Sequence, residues 1–221
     1  MTRNELARLL DHSVLKPEAT EKDIHSGALV VRAWRIGFYC VQPCWVTVAA
    51  AAIAGTDARV ASVVGFPHGC DRGEIKAGAA AMAVADGAGE IDMVMNFGAL
   101  KSGHAARVAA DIESVVRAVP DILVKVILEA AALTDDEKRL ACRLAADGGA
   151  AFVKTSTGFH PAGGATAADV RLMRTAVGAH VGVKASGGIR TLADAQAMIN
   201  AGANRIGTSA SESILAALSD S

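Results

Sequence analysis

Four times along this chain an alanine-rich segment of helical period closes on a glycine-containing turn, and a short strand-like run follows at once. The turns are Ala33–Trp34–Arg35–Ile36–Gly37 before Phe38–Val41, and Ala85–Asp86–Gly87–Ala88–Gly89 before Glu90–Val94. They return as Ala146–Asp147–Gly148–Gly149–Ala150 before Ala151–Lys154, and Asn200–Ala201–Gly202–Ala203 before Asn204–Gly207. Glycine enters the left-handed conformation that ends helices without steric cost, so each turn reads as a helix stop feeding a strand. Strands that alternate with helices imply a parallel sheet, because a parallel pair needs a long crossover.

Further apolar runs near Asp11–Leu15 and at Arg59–Val64, Ile122–Leu128 and Val181–Ala185 bring the strand count to eight. Helices are expected over 77–86, 106–118, 135–146, 166–177 and 192–200. Thr134 with Glu137 has the pattern of a capping box, and Thr191 can cap the helix that begins at Leu192. Eight such units predict an α/β fold, a single (βα)8 TIM barrel forming one domain over residues 1–221. The competing open, doubly wound sheet lacks its dinucleotide signature, since no G-x-G-x-x-G follows the first strand. In either architecture the chemistry belongs just past the C-terminal ends of the strands.

Composition excludes several functions. Hydrophobic residues make up 52% of the chain and the net charge is −1, so no basic excess advertises nucleic acid or an anionic membrane. The longest apolar stretch, Val46–Gly55, is about half of what a membrane span needs. The first ten residues lack the continuous apolar core of a signal peptide. Cys40, Cys44, Cys70 and Cys142 have no CxxC spacing and are expected as reduced thiols in a cytoplasmic protein, with Cys40 and Cys44 in its core or wall. The six histidines show no HxH or HxxxH spacing, so neither a metal nor a cofactor is expected.

Lysine is the informative residue. Lys22, Lys76, Lys101 and Lys138 stand in polar helical or loop contexts and read as solvated. Lys154 and Lys184 are different: each ends an apolar run and is followed by a turn of small residues, Thr155–Gly158 and Ala185–Gly188. A free lysine is neutral in only about 4 molecules in 10,000 at pH 7, whereas attack on a carbonyl carbon needs the neutral amine. Burial and a second ammonium nearby both favour that form, so one lysine can be the nucleophile and the other its perturber. A barrel lysine that merely balances a carboxylate is the plainer alternative.

Alternation within Glu90–Asn96 puts Glu90, Asp92, Val94 and Asn96 on one face and Ile91, Met93 and Met95 on the other. A carboxylate inside a strand is costly unless paired, so Asp92 is expected to face the lysines, as a proton carrier or as their counter-charge. Ser186–Ile189 and Gly207–Ala210 are small-residue turns after late strands, where barrels often hold phosphate on bare backbone N–H groups.

At these motifs the chain resembles the deoxyribose-phosphate aldolase family, Schiff-base aldolases with a (βα)8 fold. The matching strings are Leu10–Lys16, Cys40–Pro43, Val64–Pro67, Glu90–Asn96, Lys125–Glu129, Phe152–Phe159, Val183–Arg190 and Arg205–Ser209. The resemblance implies that Lys154 forms the imine and that Lys184 lowers the pKa of Lys154 and takes part in proton transfer. It implies Asp92 as the proton donor and acceptor working through a water, and Asp11 as a supporting member. Gly158, Gly187, Gly188 and Ser209 would bind the 5-phosphate. The implied reaction is reversible cleavage of 2-deoxy-D-ribose 5-phosphate to D-glyceraldehyde 3-phosphate and acetaldehyde, in deoxyribonucleoside catabolism. A protonated imine is itself the electron sink, so this chemistry asks for no metal.

The chain departs from the family pattern at four places. Gln42 stands for a common Asn, His68 for an apolar residue, Ala130 for a common Thr and Ser211 for a frequent Gly. Cys40 sits where the family often carries a thiol near the site, which suggests sensitivity to high aldehyde concentrations. The small-molecule partners are then a phosphosugar and acetaldehyde, in a homo-oligomer, dimer or tetramer.

Overall fold

The computed structural model describes residues 1–218 of the chain, so the last three residues of the expected domain lie outside it. Eight parallel strands close into a barrel in sequence order: β1 (Leu10–Val14), β2 (Phe38–Val41), β3 (Arg59–Val64), β4 (Glu90–Val94), β5 (Leu123–Ile127), β6 (Phe152–Lys154), β7 (Gly182–Ser186) and β8 (Arg205–Thr208). The predicted (βα)8 barrel is what forms. β8 pairs with β1 through Asp11 opposite Gly207, and closure leaves no strand edge to protect.

One helix, α1 (Arg3–Leu9), precedes the barrel. The outer ring is α2 (Glu21–Ala33), α3 (Val46–Ala52), α4 (Gly73–Ala85), the short α5 (Phe97–Lys101) with α6 (Ala105–Ala118), α7 (Asp135–Asp147), α8 (Ala167–Val177), α9 (Leu192–Asn200) and α10 (Ser211–Ala216). Capping boxes at Thr134–Glu137 and Thr191–Asp194 start α7 and α9, each such cap worth about 1 kcal/mol. Helix α4 begins at Gly73, four residues before the expected 77, with no side-chain cap to mark it in the sequence.

Three of the four glycine turns behave as expected, with Gly87, Gly149 and Gly202 at positive φ. The first does not. There Arg35 takes the left-handed conformation at φ 51°, and Gly37 is needed for space, because a Cβ on it would lie 2.8 Å from the Arg8 carbonyl oxygen.

Strand alternation sorts two buried layers. Outward-facing Ile91, Met93, Val126, Val153, Val183 and Ile206 pack in one aliphatic layer with Ile112, Val115, Ala141, Val170 and Met173 of the helices. Inside the barrel the apolar lining is small, Leu15, Cys40, Ala61 and Val63 with Phe66 against them. Charged residues complete the interior.

Two lysines read as solvated are buried instead. Lys76 is 1% exposed on α4, on the same face as Ala80 and Ala83, and Lys138 is 9% exposed on α7. Carboxylates distant in sequence make this possible: Lys76 pairs with Asp111 at 2.7 Å, and Lys138 with Asp169 at 2.6 Å. Lys22 and Lys101 are exposed as expected. The four cysteines are unpaired; Cys40 is buried in the lining, but Cys44 is exposed rather than in the wall.

Candidate active site

Register assembles the site. β6 and β7 pair with Lys154 directly opposite Lys184, and β4 and β5 pair with Asp92 opposite Lys125. Lys154 is the last residue of its strand, as expected, whereas β7 runs on to Ser186 and leaves Lys184 in mid-strand. Asp92 comes from across the interior to meet both, accepting from Lys154 Nζ at 2.8 Å and Lys184 Nζ at 2.7 Å on the same oxygen, Oδ2. Lys184 also donates to Asp11 Oδ2.

A second tier lies beneath, unforeseen from the sequence. Lys125 Nζ holds Asp92 Oδ1 at 2.7 Å and Glu90 Oε2 at 2.6 Å, and Arg205 donates to the same Glu90 oxygen at 2.6 Å. The Arg205 guanidinium lies 3.3 Å from the Phe38 ring centroid, sandwiched toward Phe152 at 5.1 Å. Lys125 and Arg205 carried the same signal as Asp92, a charge within a strand, and Glu90 was already placed on the inward face.

Electrostatics follow from this wiring. Burial alone would raise the Asp92 carboxyl, but the charges of Lys125, Lys154 and Lys184 overcome it and hold Asp92 well below the usual carboxylate range. Burial would likewise discharge Lys184, yet Asp11 and Asp92 hold it above the ordinary lysine value, so it stays an ammonium. Four cations (Lys125, Lys154, Lys184, Arg205) face three carboxylates (Asp11, Glu90, Asp92), one positive charge in excess when all are ionised. Discharging one ammonium balances the cluster. Lys154 meets one carboxylate oxygen and shares it, whereas Lys125 and Lys184 each meet two carboxylates.

The late turns sit beside this cluster. Gly158 and Gly187 have φ of 84° and 88° and lie in contact, a Cβ on Gly158 coming 3.6 Å from Gly187 Cα. Gly188, at φ 80°, faces open space. Ser186 Oγ donates to the Ser156 carbonyl and Thr208 Oγ1 to that of Ile189, tying three successive turns together. Ser209 follows in the exposed turn after β8.

Of the departures, Gln42 Nε2 donates to the Leu15 carbonyl at 2.9 Å, and Ala130 is fully buried. Ser211 Oγ lies 3.1 Å from His12 Nδ1 at the start of α10, and His68 is exposed. Burial, together with the Asp11 and Asp92 charges, pushes the Cys40 thiol up to about 12, so little reactive thiolate exists near neutral pH. A cavity of 380 Å³ between α4 and α6 contains none of the barrel lysines. Of its wall carboxylates, Asp71, Glu74 and Asp111, the last is already paired with Lys76.

The profile of the DeoC/LacD family of aldolases matches residues 7–215. A deoxyribose-phosphate aldolase of Streptococcus pneumoniae (strain Taiwan19F-14) is 53% identical over 210 residues, 95% of each chain. The tetrameric deoxyribose phosphate aldolase of Aeropyrum pernix superposes with a TM-score of 0.90 at 30% identity, over 98% of this chain and 92% of that one. A further solved aldolase gives a TM-score of 0.92 at 38% identity, over 96% of this chain and 95% of the other.

Proposed function

The chain belongs to the DeoC/LacD family of aldolases, and from that premise we propose that it cleaves 2-deoxy-D-ribose 5-phosphate reversibly, through an imine on Lys154. The observation that carries this reading is the sharing of one Asp92 oxygen by Lys154 and Lys184. The open-chain aldehyde meets the neutral Lys154 amine, adds, and loses water to give a protonated imine. Removal of the C3 hydroxyl proton breaks the C2–C3 bond, and glyceraldehyde 3-phosphate leaves. The bonding electrons pass into the imine as an enamine, which is protonated at C2 and hydrolysed to acetaldehyde and free Lys154.

Each neighbour has a role in these steps. Lys184, held charged by Asp11 and Asp92, sets a second cation beside the proposed nucleophile. Asp92 is a poor donor while three ammoniums surround it. It is instead the acceptor for the C3 hydroxyl proton, directly or through water, and once protonated it can return that proton to the enamine carbon. Gly158, Gly187, Gly188 and Ser209 would hold the 5-phosphate and orient the carbonyl at the other end.

We propose further that the enzyme is a cytoplasmic homo-oligomer. Outward-facing Ile75 and Met82 of α4, 62% and 69% exposed, support association, which light scattering would measure. No helix among the described residues is long and apolar enough to cross a membrane.

The test is product analysis. Acetaldehyde and glyceraldehyde 3-phosphate should appear together from 2-deoxyribose 5-phosphate, with no metal added. A protein that cleaves only ketose phosphates and releases no acetaldehyde would overturn the proposal.

A further inference from the structure

We infer that Glu129 is a positioning residue for phosphate selectivity: its buried carboxylate pins Thr157 and so fixes the turn that carries Gly158. This inference rests on the reading that the Gly158 and Gly187 turns hold the substrate phosphate.

The backbone around Glu129 is unusual. Beyond β5, the Leu128 N–H donates to the Lys154 carbonyl and the Ala130 N–H to the very next one, Thr155. Two residues on one side therefore span a single residue on the other, a bulge, and Glu129 is the residue that absorbs it. It does so at φ 56° and ψ 56°, the left-handed region where a bulge of this kind ordinarily takes glycine. A long side chain at such a position is strained, and strain of this sort persists where surrounding structure over-determines it.

The side chain shows what is gained. Glu129 is 1% exposed, and no lysine, arginine or histidine among the described residues lies within ion-pair distance. Its partner is Thr157, whose hydroxyl donates to Oε2 at 2.5 Å and whose N–H reaches Oε1 at 3.3 Å and Oε2 at 3.4 Å. Thr157 Oγ1 in turn accepts the Phe159 N–H at 3.1 Å, so the two residues flanking Gly158 are locked together. Gly158 then rests on Gly187, and a Cβ on Gly164 would fall 2.2 Å from the Gly187 carbonyl oxygen, which leaves no slack. A carboxylate without a cation would repel a phosphate brought close to it. Spending its hydrogen bonds on Thr157 makes it a pin for the turn rather than a contact for the anion.

The experiment compares kcat and KM for 2-deoxyribose 5-phosphate and for unphosphorylated 2-deoxyribose in wild type, Glu129→Gln, Glu129→Ala and Thr157→Val. Glu129→Ala should raise KM for the phosphorylated sugar by about tenfold with a much smaller change in kcat. The ratio of kcat/KM between the two sugars should fall by a similar factor. Glu129→Gln, which keeps an acceptor for the Thr157 hydroxyl, should lie between, and Thr157→Val should reproduce the loss. If Glu129→Ala does not fold, Glu129→Gln and Thr157→Val carry the comparison. Equal losses on both sugars, or an unchanged ratio, would overturn the inference while leaving the proposed reaction standing. A wild type with no preference for the phosphorylated sugar would instead remove the phosphate reading on which it rests.

Discussion

Lys76 and Lys154 are both almost fully buried, the first on helix α4 outside the barrel wall and the second at the tip of β6 within it. The Lys76 ammonium donates to the Gly69 carbonyl and the Val94 carbonyl at 2.8 Å and to Asp111 at 2.7 Å. All three N–H groups are used, and three segments of chain are tied by them. Among the described residues Lys154 Nζ has one partner, the Asp92 oxygen it shares with Lys184. A lysine with every proton engaged is a strut. One that is under-bonded is free to turn toward a substrate carbonyl, the role proposed here for Lys154.

Lys154→Met should separate the two roles most sharply, lowering turnover by on the order of 10⁴-fold or more, the scale of losing a covalent nucleophile. Its thermal stability should hold or rise, because three cations then face three carboxylates. A Lys154→Met enzyme that keeps its activity would erase the distinction.

Asp92→Asn comes next, with an expected fall of about 10² to 10⁴ in kcat, since both lysines lose their common acceptor. Steady-state rates across pH 5–9 would show whether a broadened profile accompanies the fall.

Lys76→Met should do the reverse of Lys154→Met. It leaves Asp111 buried without its cation, at a cost of about 3–5 kcal/mol in urea unfolding, while kcat in the surviving native enzyme changes little. Adding Asp111→Leu should recover much of the loss, and strict additivity of the two would contradict a paired strut.

A smaller effect lies in acid. The Asp92 carboxyl is held down, so its contribution is present above about 3.9, the unfolded carboxyl value, and is lost as pH falls through a folded value well below that. For Asp111, burial outweighs the Lys76 charge and raises the carboxyl, so its contribution is present below the unfolded value and lost as pH rises through the folded one. Stability measured between pH 3 and 6 for Asp92→Asn and Asp111→Asn should therefore differ from wild type with opposite slopes.

Smallest of all is the expected role of Cys40. Iodoacetamide mapped by mass spectrometry should label the exposed Cys44 and Cys70 before Cys40. Decay of activity in acetaldehyde should be nearly unaltered by Cys40→Ala, against the sensitivity that the family resemblance suggests.

The barrel and the upper tier of the site were readable because both are written in local pattern. Four glycine stops followed by strand-like runs, with four further apolar runs, marked eight strands, and charges in strands exposed Asp92, Lys154 and Lys184 to view. The same pattern held Lys125 and Arg205, whose roles emerge only when register puts Lys125 beside Asp92 and Arg205 over Phe38. Lys76 looks solvated in the sequence because its partner, Asp111, is 35 residues away on another helix. A lysine on a helix declares its burial through such a partner, which no periodicity reveals. Glu129 was hidden for another reason: sequence marks left-handed turns by glycine, and here a glutamate occupies one.

Reductive trapping tests the central claim most directly. Wild type and Lys76→Met would each be incubated with 2-deoxyribose 5-phosphate and sodium borohydride, and the modified peptide identified by mass spectrometry. A reduced adduct is expected on Lys154 alone in both proteins, with activity lost in proportion. An adduct on another lysine, or a folded protein that turns over substrate with no adduct, would contradict it.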